Sequence, residues 1–80
     1  MDHDDVRLDS VRLDDYFKDW LLLHMITQEE AARRMGTRQP QISRVCNGKK
    51  LSISFVKRLA KYMEMDDQVV AKMAVNAKML

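Results

Sequence analysis

TQEEAARRMGTRQPQISRVCNG, residues 27–48, decides how this chain folds. Thr27 and Glu30 have the T-x-x-E spacing of a capping box, in which each side chain satisfies a backbone N–H at a helix start. A helix therefore begins at Thr27 and can run through EEAARRM as far as Gly36, a residue free to take the left-handed conformation that ends a helix. Pro40, the chain's only proline, follows in a new helical run. Proline is tolerated in a helix's first turn because the N–H it lacks has no helical partner there. The spacing thus predicts two short helices joined by a tight turn, the second starting near residues 38–40.

Drawn at about 100° per residue, the second helix puts Ile42, Val45 and Cys46 on one apolar side. The opposite side carries Pro40, Arg44 and Asn47, with Ser43 and Gln39 at one edge and Gln41 at the other. Such side chains can present matched donors and acceptors to base edges. They also suit an ordinary solvated face, and the face alone does not separate the two readings.

The surrounding residues do. The segment resembles the helix-turn-helix of the lambda-repressor and Cro family of small DNA-binding regulators, the XRE family. The resemblance is carried by Thr27, Gln28, Glu29, Glu30, Ala31 and Ala32, then Met35 and Gly36, then Gln39, Ile42, Ser43, Val45, Gly48 and Lys49. It covers the central two dozen residues and continues more loosely through Met63. Two positions depart from the pattern. Ala31 stands where a larger aliphatic is usual, which implies thinner packing, and Arg38 stands where Ser or Thr would cap the second helix. The resemblance implies an all-α fold, a compact five-helix bundle of the lambda-repressor-like DNA-binding type. It further implies that the second motif helix enters the major groove of double-stranded DNA. Base reading then falls to Gln39, Pro40, Ser43 and Arg44, and backbone contact to Gln28, Arg38, Asn47, Lys49 and Lys50.

The rest of the chain is organised around this motif. Eighty residues make one domain at most. Residues 1–9, MDHDDVRLD, are acidic without an apolar period and read as a flexible arm. The domain then occupies residues 10–80. Asp9 or Ser10 can cap a first helix to about His24, with Leu13, Phe17, Trp20 and Leu21 as core scaffold and His24 partly buried. Ser52 caps a helix of about residues 53–64 that buries Ile53, Val56, Leu59, Ala60 and Met63. Asp66 or Asp67 starts a last helix over about residues 66–79. Its stripe of Val69, Val70, Met73, Ala74, Ala77 and Leu80 either completes the core or meets its counterpart in a second chain.

Charge is distributed unevenly. Residues 1–20 hold seven acids against three bases, whereas residues 21–50 hold Glu29 and Glu30 against Arg33, Arg34, Arg38, Arg44, Lys49 and Lys50. Positive charge gathers where a phosphate backbone would lie. One cysteine, Cys46, cannot form an internal disulfide and reads as a buried, inert thiol. His3, His24 and Cys46 lack metal-ligand spacing, and no catalytic arrangement, phosphate-binding glycine loop or cofactor motif is present. No apolar run has membrane or signal-peptide length. The sequence therefore predicts a cytoplasmic, nucleoid-associated regulator with no enzyme activity, no cofactor and no small-molecule ligand. So small a module implies a homodimer on an inverted-repeat operator, in the manner of a Cro-like repressor from a phage or mobile element. The alternative is an antitoxin-like or antirepressor-like module that uses the same fold to grip a protein partner.

Overall fold

The computed structural model describes residues 10–80, so the acidic arm at 1–9 lies outside the described residues. Among the described residues five helices of eight residues or more follow one another: α1 Leu13–Leu23, α2 Gln28–Met35, α3 Gln39–Cys46, α4 Ile53–Met63 and α5 Asp67–Asn76. Among the described residues there is no strand, and no helix is long and apolar enough to cross a membrane.

Local chemistry sets most of these boundaries. Thr27 Oγ1 accepts the Glu30 N–H at 3.1 Å, and Gly36 closes α2 in the left-handed conformation at φ 69°. The capping box is only half formed, however. The Glu30 carboxylate turns along the helix to Arg33 and Arg34 instead of reaching back to the Thr27 N–H. Two guanidinium donors hold a carboxylate more strongly than one neutral amide. Arg38 is the N-cap of α3 and makes no side-chain cap, so Pro40 in the first turn fixes that start. Ser52 caps α4 through the Phe55 N–H, and Asp66 rather than Asp67 caps α5 through the Gln68 N–H.

Four expected positions move. The first helix starts at Leu13, with extended Arg12 rather than Ser10 at its N-cap position, while Asp9 lies outside the described residues. The last helix ends at Asn76, short of residue 79, because Lys78 turns left-handed at φ 56° and Met79 O accepts the Leu51 N–H at 2.7 Å. Ile53 is exposed, being the first residue of α4, and Phe55 is buried in its place. His24 is exposed too; its Nδ1–H donates to Trp20 O at 2.9 Å at the end of α1, with the ring stacked on Trp20.

The core is continuous. Leu13 and Phe17 of α1, Ile42 and Val45 of α3, Val56 and Leu59 of α4, and Val70 and Met73 of α5 are fully buried. Ala31 and Ala32 are the only buried residues of α2, and their small side chains let α2 and α3 approach closely. Val70, Met73, Ala74 and Ala77, four of the six residues in the stripe offered to the core or to a partner, are buried inside this domain. Cys46 is buried with them, and burial pushes its thiol pKa up.

A second constraint holds the far end of α3. Gly48 takes φ 71°, and a Cβ there would lie 2.8 Å from Asp14 Oδ2. Asp14 is buried and is bonded by Arg12 and by the Asp15 N–H. Burial pushes the Asp14 carboxyl up. The bonds from Arg12 and Asp15 and the charges of Arg12 and Lys18 outweigh that and hold it below the usual aspartate range.

Gly48→Ala combines a left-handed alanine with that close approach, and we expect it to destabilise the domain by about 1–3 kcal/mol. Glu64 caps α4 at φ 57° with open strain of the same kind. Glu64→Gly should therefore stabilise by about 0.5–1 kcal/mol. Urea melts check both signs. Because the Asp14 pKa is depressed in the folded state, its contribution is present above the unfolded value and is lost as pH falls through the folded one. Asp14→Asn should thus lower stability at neutral pH and flatten the decline below about pH 4, as read by thermal melts across pH.

Candidate nucleic-acid interface

The buried side of α3 turns its other side to solvent. Gln39, Pro40, Gln41, Arg44 and Asn47 are exposed, and Ser43 is half-buried beside them. The N-termini of α2 and α3 lie together, because Gln39 Nε2 donates to Gln28 Oε1 at 2.7 Å. That bond uses the Gln28 acceptor and one Gln39 donor. It leaves the Gln28 amide N–H groups facing out at a positive helix end, and leaves Gln39 with a free carbonyl oxygen and a second N–H.

The far end of α3 is tied down differently. Arg44 Nη2 donates to Lys50 O at 2.8 Å, and Asn47 Nδ2 donates to Ser43 Oγ at 3.1 Å. Lys49 and Lys50 are exposed in the following loop, and Lys50 Nζ reaches Leu80 O at 3.4 Å. Arg38 is exposed ahead of α3 and makes no cap bond. All nine residues singled out from the sequence thus lie on α3, on the first turn of α2, or in the segments flanking α3. Six of them form two groups, a Gln28–Gln39 pair at one end and Arg44, Asn47, Lys49 and Lys50 at the other.

Arg44 and Lys50 of the second group border a depression of about 370 Å³ between α3 and α4, also lined by Thr37, Gln41, Ser52, Ser54 and Arg58. No acid lines it. Arg58 is fixed by donating to Met35 O at 2.6 Å and by stacking its guanidinium over the Phe55 ring, 5.5 Å from the centroid. With Arg44 and Lys50 it makes three cations around a concave surface bearing hydroxyl and amide groups, a chemistry suited to a phosphate group. Sequence reasoning left out Gln41, Ser52, Ser54 and Arg58 from the site. The available signal was weak: Gln41 sits at the edge of the α3 face, and Arg58 was one of three exposed bases on α4.

A family model described as helix-turn-helix matches residues 17–69, from the middle of α1 into the start of α5. This chain belongs to the XRE-type helix-turn-helix family. It is a DNA-binding regulator, and its partner is DNA. No curated relative and no solved structure matches the chain.

If the Gln28–Gln39 bond couples the two helix ends during DNA binding, Gln28→Ala and Gln39→Ala will be non-additive. The double mutant should lose less than the sum of the single losses, with a coupling of about 0.5–2 kcal/mol. Fluorescence anisotropy on one duplex measures all four affinities, and sums agreeing within about 0.3 kcal/mol remove the coupling.

Proposed function

We propose that this protein is a Cro-like repressor that binds an inverted-repeat operator as a homodimer, with α3 of each copy in the major groove. The observation that carries the reading is the Gln28–Gln39 bond, because it leaves both amides with the groups a groove requires. Gln39 retains one donor and one acceptor, the pair that matches adenine N7 and N6–H. Gln28 retains donors at the α2 N-terminus, where a phosphate oxygen is favoured by the helix dipole.

Arg44 spends one N–H on Lys50 O, and a guanidinium carries five. The others suit guanine O6 and N7. Pro40 offers an apolar contact to a thymine methyl, and Ser43 a hydroxyl. Arg38, Asn47, Lys49 and Lys50 contact the backbone and set register, while the depression at Ser52, Ser54 and Arg58 extends that contact toward α4. One domain makes too few contacts for useful affinity. Two copies on half-sites about 34–36 Å apart supply the rest.

Selection of bound duplexes from a random oligonucleotide pool tests the reading. The expected product is a two-fold symmetric consensus, whereas a pool left without enrichment overturns sequence-specific binding. On the selected site, Arg44→Ala should cost about 1–3 kcal/mol and relax preference at one base pair. Lys49→Ala should weaken all sequences alike and reduce the salt slope by about one. An Arg44→Ala variant that weakens every sequence equally moves Arg44 to the backbone group.

A further inference from the structure

Leu22, Leu23 and Met25 are 76%, 81% and 92% exposed, an apolar cluster at the end of α1 that DNA binding leaves unused. Large apolar side chains grouped this way on a small domain mark a contact surface. On α1, Asp15, Asp19, Leu22 and Leu23 share the spacing that lines up one face of a helix, and all four are exposed. That face is acidic toward its N-terminal end and apolar toward its C-terminal end. Met25, held at φ 56°, extends the apolar end.

Helix α4 carries the complement. Ile53, Lys57 and Lys61 recur every fourth residue and are exposed, Ile53 by 55%. This face is apolar at its N-terminal end and basic beyond it. Among the described residues, no carboxylate pairs with Lys57 or Lys61.

We propose that α1 of one copy packs antiparallel on α4 of the next, head to tail. In that register Leu22 and Leu23 meet Ile53, Asp19 meets Lys57, and Asp15 meets Lys61. On both helices the charged residues are four apart, about 6 Å along the axis, so the pairs align together. Asp15 already has Lys18 at 3.8 Å, which makes Asp19–Lys57 the pair that adds most.

The two faces also lie where neighbours on one duplex meet. Leu22 shares a depression of about 390 Å³ with Gln28 at one end of the DNA-facing surface. Ile53 stands between Ser52 and Ser54, which line the depression beside Arg44 at the other. Because two different patches meet, the contact is heterologous and repeats from copy to copy. The consequence is cooperative filling of adjacent DNA sites, beyond any pairing at a single inverted repeat. Site placement on the duplex rests on the DNA-binding reading; self-association of the free chain does not.

The test uses the full chain, a duplex with one selected site, a duplex with two adjacent sites, and sedimentation velocity of the free protein. Wild-type protein should fill the second site about tenfold more tightly than an isolated one, a difference of about 1.4 kcal/mol. Leu22→Ser with Leu23→Ser should abolish that gain while melting temperature and single-site affinity hold within about twofold. Asp19→Lys and Lys57→Asp should each weaken association about threefold to tenfold, and the two together should restore it. Equal affinity for the two duplexes with monomeric sedimentation of the wild-type chain overturns the proposal. Full cooperativity in the leucine double variant does so too, as does a charge-swapped pair that fails to recover. Protein that binds no duplex yet self-associates in this pattern separates failure of the DNA reading from failure of this contact.

Discussion

Burial of one side of α3 determines everything the other side can do. Ile42 and Val45 are fully enclosed, and removing each from water contributes about 1.5–3 kcal/mol. An eight-residue helix is far too short to hold its shape alone in water. It exists because α1 and α2 take its apolar side, and the same docking fixes its rotation. Gln39, Pro40, Arg44 and Asn47 then have no direction left but outward. Alanines at 31 and 32 bring α2 close, and that closeness is what lets Gln28 and Gln39 share a hydrogen bond.

The residues that hold α3 at its far end are of a different kind. Gly48 supplies a backbone conformation and a missing side chain at the same point, against an aspartate that is itself neutralised by Arg12. Leu51 and Met79 then join the segment after α3 to the segment after α5. Helix α3 is therefore gripped at the start through side-chain amides and at the end through backbone and buried charge. This division lets surface residues on α3 other than Gln39 vary without disturbing its placement.

Much of this was legible in the residues. Thr27, Gly36, Pro40 and Ser52 each act through local chemistry, and each sits in the structure where its type predicts. The apolar triplet of α3 was readable for the same reason. What escaped depended on tertiary geometry. The Glu30 carboxylate had a choice of partners, and Arg33 with Arg34 outcompeted the backbone. Met79 left the helix because Leu51 offered a backbone partner from far away in sequence. Arg58 joined the basic depression only because Met35 O and the Phe55 ring aim it there. Pairwise placement of this sort has no period and no spacing to betray it.

Cys46 gives the molecule a built-in clock. It lies on the buried side of α3, and burial disfavours the thiolate that electrophiles attack. Cys46 also borders the depression shared by Leu22 and Gln28, so its labelling rate reports how far that side of α3 opens.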